Sequence, residues 1–251
     1  TYYDPCVGDG IAALIRPETR VVFTESPGSL TFEVQDLPAI AAAAHARGAL
    51  VVLDNTWGVL NFQPFAHGVD VSIQAATKYV VGHADAMLGA VTVADSALWL
   101  KIKSSIAAFG HSPGTEELYL GLRGLRTLPV RLRQHGETAL RLAQWLEGRP
   151  EVARVLYPPL ASDPGHALWA RDFTGGCGLF GVVLTAEAQA RGKAALDAML
   201  DGYAHFKLGY SWGGFESLVI PTTGSIHRTA TPWSAEGPSL RFHAGLETAA
   251  D

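Results

Sequence analysis

At 251 residues, 48% apolar and 17% charged, the chain is long enough to bury a sizeable core in one or two domains and too apolar to be disordered. A formal net charge of −5 with scattered lysines and arginines argues against a nucleic-acid surface, and no apolar run approaches the ~18 residues of a membrane span. Cys6 and Cys177 stand in neither a metal nor a redox spacing, and no two of the nine histidines are three or four apart, so the expectation is a cytoplasmic protein with neither a disulfide scaffold nor a helical metal site.

In chain order, Thr1-Tyr2-Tyr3 reads as a strand, Ile11 to Arg16 as a short helix and Arg20 to Glu25 as a strand that Ser26-Pro27-Gly28-Ser29 turns. Asp36 is placed to cap an alanine-rich helix closed by Gly48, with Pro38 tolerated in its first turn. Leu50-Val51-Val52-Leu53 is an apolar run that stops at Asp54. Val71-Ser72-Ile73-Gln74 breaks into a turn that carries Lys78. Ala90 to Val93 reads as a strand, Asp95 to Phe109 as a helix, and Gly110 to Gly114 as a loop. From Leu125 to Leu146 the spacing predicts a long amphipathic helix, with Leu125, Leu128, Leu132, Leu142 and Trp145 on its apolar side. Pro129 should end a turn or kink it, and Arg131, Arg133, Gln134 and His135 fall on the face expected to be solvated.

Beyond that helix the pattern changes. Val152 to Tyr157, Gly178 to Leu184 and Leu240 to His243 read as strands, with a helix from Ala186 to Leu200. Strands alternating with helices in the first half predict a mostly parallel sheet, and the second half a smaller α+β unit. The expected division is residues 1–124 and 125–251.

Asp54 and Lys78 both stand at the carboxyl ends of predicted strands, where open α/β sheets place their ligands. Two readings follow from the pair alone. One is a capping aspartate and a solvated lysine. The other is a pyridoxal-phosphate site, with the lysine forming the Schiff base and the aspartate paired with the protonated pyridine nitrogen.

A wider set of motifs resembles the cysteine/methionine-metabolism group of pyridoxal-phosphate enzymes, and within it the bacterial cystathionine β-lyase branch. They are Glu25-Ser26-Pro27-Gly28-Ser29, Asp54-Asn55-Thr56-Trp57, Ala76-Thr77-Lys78-Tyr79, Gly82-His83-Ala84-Asp85, Arg123-Gly124-Leu125-Arg126-Thr127-Leu128, Tyr210-Ser211-Trp212-Gly213-Gly214 and Leu240-Arg241-Phe242-His243-Ala244-Gly245-Leu246-Glu247, in family order. The resemblance implies an α/β, aspartate-aminotransferase-like (fold type I) domain with a mostly parallel sheet, followed by a smaller α+β domain. It implies Lys78 as cofactor anchor and proton shuttle, Asp54 against the ring nitrogen, and Thr77 on the phosphate. Ala75 stands where relatives often have a second hydroxyl. Arg241 would fork onto the substrate α-carboxylate, a task suited to a planar bidentate donor, and its apolar neighbours Leu240 and Phe242 disfavour a surface arginine. Ser211 and Trp212 would form the adjoining pocket, although plain core packing also explains a tryptophan. Glu25, Arg123 and His83 are expected in supporting or domain-packing roles, and His111, His227 and Cys177 as structural.

The implied activity is α,β-elimination on cystathionine or a related cysteine S-conjugate, giving a thiol such as homocysteine, pyruvate and ammonia. Gly28-Ser29-Leu30 and Ser211-Trp212 depart from the Pro-x-Asn-Pro and Ser-Leu patterns of relatives acting at the γ-carbon, which leaves a γ-lyase or γ-synthase as the nearer alternative and a catalytically silent chain as the farther one. The implied partners are a small amino-acid substrate and further copies of the chain, as a dimer of dimers, with no nucleic acid and no membrane. In the family pattern the phosphate loop, a ring-stacking tyrosine and a Tyr/Arg pair precede the position of Thr1, so these 251 residues alone are expected to hold the cofactor weakly and turn over negligibly.

Overall fold

The computed structural model describes residues 1–249; Ala250 and Asp251, the end of the expected second domain, lie outside the described residues. The first sheet runs β1 (Val21–Glu25), β2 (Leu50–Asp54), β3 (Val71–Gln74) and β4 (Ala90–Val93) in that order, the first three parallel and β4 antiparallel. In β2 the apolar alternation sends Val51 and Leu53 fully into the core. The helix α1 (Leu37–His45) covers that side, burying Leu37, Ile40, Ala41 and Ala44 at helical spacing, and the Asp36 carboxylate accepts the Ala39 N–H at 3.3 Å. Because β1 to β3 are parallel and in register, with Glu25 opposite Asp54 and Asp54 opposite Ile73, their carboxyl ends line up along one edge.

Three helices follow: α2 (Ser96–Ala108), capped by the Asp95 carboxylate on the Leu98 N–H at 2.7 Å, then α3 (Thr115–Leu125) and α4 (Leu128–Glu147). The sequence pattern did not anticipate α3. Pro129 lies in the first turn of α4, where its missing N–H has no intrahelical partner to lose, so it starts the helix and does not kink it.

The expected faces of α4 need correction. Leu125 and Trp145 are exposed, while Arg131 and His135 are buried with Leu128, Leu132, Ala139 and Ala143. Arg131 reaches across to the turn that follows Lys78. It donates to the carbonyls of Tyr79 (2.8 Å), Val80 (3.3 Å) and Gly124 (2.8 Å) and to Thr127 Oγ1 (3.0 Å). Four acceptors in the guanidinium plane offset the cost of burying the charge, and a lysine ammonium cannot span them. Gly124 permits this approach, since a Cβ there would lie 2.1 Å from the Val80 carbonyl oxygen. Arg131→Ala should lower stability by about 2–3 kcal/mol, because the Tyr79 and Val80 carbonyls lose the guanidinium donor while the Gly124 carbonyl keeps Thr127, and Arg131→Lys should not restore it. Urea unfolding of the three proteins checks this, and equal midpoints for wild type and Arg131→Lys would contradict it.

The second sheet has the order β5 (Val152–Leu156), β6 (Leu179–Leu184), β9 (Ser239–His243), β8 (Leu218–Pro221), β7 (Lys207–Leu208), antiparallel except for β7 with β8. The helices α5 (His166–Asp172), α6 (Ala186–Ala190) and α7 (Lys193–Asp201) accompany it, and the single helix expected from Ala186 to Leu200 is broken at Arg191-Gly192. Thr1–Tyr3 is not a strand; the Tyr3 hydroxyl instead lies 3.0 Å from the Phe23 carbonyl oxygen and 2.9 Å from Gln35 Oε1. The short helix expected at Ile11 is a 3-10 turn at Gly8–Ala13.

Two tethers join the sheets beneath the aligned strand ends. Trp57 Nε1 donates to the Leu179 carbonyl at 3.1 Å, and the Tyr79 hydroxyl accepts the Gly178 N–H at 2.9 Å. The loops after β2 and β3 are therefore both pinned to the start of β6.

Candidate active site

At the carboxyl end of β2, Asp54 is held by the residue two places on. Its Oδ1 accepts the Thr56 N–H at 2.9 Å and the Thr56 hydroxyl at 2.6 Å, while Thr56 Oγ1 accepts the Ala75 N–H at 2.8 Å. One threonine thus orients the carboxylate and ties it to the segment leading into Lys78. Among the described residues no hydrogen bond reaches Oδ2, which leaves an acceptor for a ligand donor. Thr56 was not singled out in the sequence, although Asp-x-Thr at a strand end is an Asx-turn signal.

Beside Asp54, burial and the Asp54 charge push the Glu25 carboxyl up to about 7 from its usual 4.5. A raised folded-state pKa means the native protein holds a proton that the unfolded chain has released. Its stability is therefore unaffected below pH 4.5 and falls as the pH rises to about 7. Glu25→Gln should remove that fall, so the thermal midpoint of the variant should gain on wild type across this window and then keep a constant lead. Parallel midpoint curves would contradict it.

Lys78 lies in the turn after β3, half-buried. Nζ donates to Ser211 Oγ at 2.7 Å and sits 5.2 Å from the Trp212 ring centroid. Burial, with a smaller effect of the Arg241 charge, holds its pKa below the ordinary lysine value. Gly213, at φ +83°, lets the loop lie flat against the lysine backbone: a Cβ there would meet the Lys78 carbonyl carbon at 2.9 Å. Thr77 Oγ1 is engaged with Leu88, accepting its N–H at 2.8 Å and lying 3.2 Å from its carbonyl oxygen.

Arg241 is central in β9, paired with Gly181 on one side and Ile220 on the other, and is 8% exposed. Its hydrogen bond goes to the Tyr210 carbonyl, with the guanidinium 5.6 Å from the Tyr210 ring centroid. Among the described residues no carboxylate pairs with it. A buried guanidinium with free donors and no anion is a receptor for one. Burial lowers its pKa.

The structure thus brings together Lys78, Ser211, Trp212 and Arg241 and links Asp54 to the lysine loop through Thr56. His83 bonds the Val81 carbonyl at 2.9 Å, and Cys177 is buried against Tyr79 and Tyr157, whereas Arg123, His111 and His227 are exposed. Tyr210, acting through its backbone carbonyl, was not legible in the sequence. A cavity of about 540 Å³ lined by Phe32, Glu33, Arg154, Asp163 and Trp233 contains none of the site residues.

The donor and acceptor set suits pyridoxal phosphate in two of its three demands. Asp54 Oδ2 is free to accept a ring N–H, and Lys78 is an amine whose charged form is disfavoured. For the phosphate, Thr77 must redirect a hydroxyl that now serves Leu88.

The family described as Cys/Met metabolism PLP-dependent enzyme matches residues 1–251. The chain is 44% identical over 258 residues to cystathionine β-lyase of Salmonella typhimurium, covering 100% of this chain and 64% of that protein. It is 43% identical over 258 residues to cystathionine β-lyase MetC of Escherichia coli, with the same coverage of 100% and 64%. The crystal structure of metB from Corynebacterium glutamicum superposes with a TM-score of 0.88 at 29% identity, covering 100% of this chain and 64% of that one. The chain therefore spans 64% of the length of each of these relatives.

Proposed function

The chain belongs to the Cys/Met metabolism PLP-dependent enzymes, and from that premise we propose that it carries the active-site lysine and substrate arginine of a carbon–sulfur β-lyase. The substrate is cystathionine or a related cysteine S-conjugate, and the products are a thiol such as homocysteine, pyruvate and ammonia. The observation that carries this reading is the convergence of a half-buried amine, Lys78, with a buried guanidinium that lacks a carboxylate partner, Arg241.

Bound pyridoxal phosphate supplies an electron sink for the pair left on the substrate α-carbon. Lys78 Nζ would anchor the cofactor and, when free, serve as the base for the substrate α-proton, its depressed pKa favouring the neutral amine. Ser211 Oγ accepts from that Nζ at 2.7 Å and fixes the direction of the amine. Arg241 binds the α-carboxylate and thereby orients the α-hydrogen toward the lysine. Asp54, steered by Thr56, holds the proton of the ring nitrogen, and Thr77 meets the phosphate. Trp212, whose ring centroid lies 5.2 Å from Lys78 Nζ, would form a wall of the substrate pocket.

The choice of β- over γ-elimination rests on Gly28-Ser29 and Trp212 and on the names of the two bacterial relatives. The full-length protein, given cystathionine, should release pyruvate and homocysteine. Mainly 2-oxobutyrate and cysteine would establish the γ-lyase instead.

Two coarser features complete the proposal. Residues 1–124 belong to the cofactor domain and 125–251 to the α+β domain. The active protein is a cytoplasmic homo-oligomer, a dimer of dimers. The exposed apolar side chains Trp99, Leu100, Phe109, Leu118, Tyr119 and Leu122 on and beside α2 and α3 support assembly. Among the described residues no helix is long and apolar enough to cross a membrane, and the free thiols of Cys6 and Cys177 suit a reducing compartment.

A further inference from the structure

Strand alternation puts Arg241 and His243 on the same face of β9, one pleat apart. Arg241 faces the proposed substrate site. His243 lies deeper, 1% exposed, beneath the loop that carries Ser211 and Trp212. Its Nε2 is 3.0 Å from the Gly213 nitrogen, whose hydrogen points at it, and 3.2 Å from the Gly214 carbonyl oxygen. A backbone N–H can only donate, so the shorter contact assigns the lone pair to Nε2 and the ring proton to Nδ1, whereas the longer contact to the Gly214 carbonyl would be served only by the opposite tautomer.

The neighbouring ring fixes a complementary state. His135 Nδ1 faces two carbonyl oxygens, Ala244 at 2.8 Å and Gly245 at 2.9 Å, so it is protonated and Nε2 carries the lone pair. His135 Nε2 and His243 Nδ1 are both buried without a partner, an acceptor and a donor on rings 5.1 Å apart. A proton on His243 Nε2 would add a third cation near Lys78 and Arg241 and displace the Gly213 N–H. Burial first, then His135, pushes the His243 pKa down to about 3, so its acceptor persists at neutral pH.

Gly213 in turn lies against the backbone of Lys78, two residues from the Ser211 hydroxyl that receives the lysine's hydrogen bond. We infer that His243 is a positioning residue: by accepting the Gly213 N–H through Nε2 it fixes the Ser211–Gly214 loop over Lys78 and so sets the direction and free-amine fraction of Nζ. The inference rests on the reading of Lys78 as the reactive amine, and nothing in it requires His243 to touch substrate.

Glutamine and asparagine separate the role of Nε2 from that of Nδ1, because the glutamine amide oxygen reaches the place of Nε2 and the asparagine amide only that of Nδ1. In the full-length protein, His243→Asn should speed hydrogen exchange of the Gly213 amide by about ten- to a hundred-fold, and His243→Gln should stay within about threefold of wild type. Reductive methylation of Lys78 against pH should show its midpoint moving up toward that of free lysine in His243→Asn and staying put in His243→Gln. Turnover should follow, with kcat reduced in His243→Asn and restored in His243→Gln. Equal Gly213 exchange in all three proteins, equal damage by both substitutions, or faster exchange with no change at Lys78 would each overturn the inference. If His243→Asn does not fold, selective ¹⁵N-histidine labelling of the wild-type protein decides: a lone pair on His243 Nε2 is expected, and a proton there overturns it. Chemistry that maps to another lysine, with these exchange results intact, would count against the proposed function and not against the loop contact.

Discussion

Lys78→Ala should lower kcat for cystathionine by about four orders of magnitude or more in the full-length protein, since it removes both the covalent anchor and the base. No other side chain at the site can take over. Ser211 Oγ is an acceptor for the lysine with no base behind it, His243 Nε2 is taken by the Gly213 N–H, and the free nitrogen of His135 is fully buried away from the site opening. Folding should be spared, because the Lys78 side chain makes its contacts with an exposed serine and one face of Trp212, whereas the turn itself is held by Arg131 through the carbonyls of Tyr79 and Val80. Single-turnover assays alongside circular dichroism check both halves. A variant that folds and retains even a tenth of wild-type kcat would mean that another group removes the α-proton.

The second large effect is expected at Arg241. Losing one half of a buried charge-assisted pair costs about 2–5 kcal/mol, and each ~1.4 kcal/mol is a factor of ten, so Arg241→Ala should cut kcat/KM by about one and a half to three and a half orders of magnitude. Arg241→Lys should recover little of it, because a point charge cannot make the forked contact. A second readout follows from the electrostatics. The Arg241 charge disfavours the Lys78 ammonium, so its removal should raise the Lys78 pKa and shift the acid limb of the pH–rate profile to higher pH. An unchanged kcat/KM would assign the carboxylate to another residue.

Much of this is legible in the sequence alone. The strands at Leu50–Asp54 and Ala90–Val93 and the cap at Asp36 rest on local chemistry, namely apolar runs, turn residues and a carboxylate before a helix, and they stand where that chemistry puts them. The likeness to fold type I enzymes likewise rested on motifs spread along the chain, and the family match covers the same span. What the sequence hid is long-range. Arg131 and His135 look like a solvated stripe because periodicity assigns polar residues outward; only the approach of the Tyr79 and Ala244 carbonyls gives them a reason to be buried. The small strands Lys207–Leu208 and Leu218–Pro221 are too short to carry a pattern of their own and exist by pairing along β9. Thr56 and His243 act on the site through backbone donors and another side chain, and composition does not show such partners.

The central claim is that Lys78 is the amine that holds the cofactor. Borohydride reduction of the full-length protein loaded with pyridoxal phosphate, followed by peptide mapping, tests it without any assay of turnover. The label should appear on the peptide containing Thr77-Lys78-Tyr79, at one equivalent per chain. A label on Lys101, Lys207 or any other lysine would contradict the account.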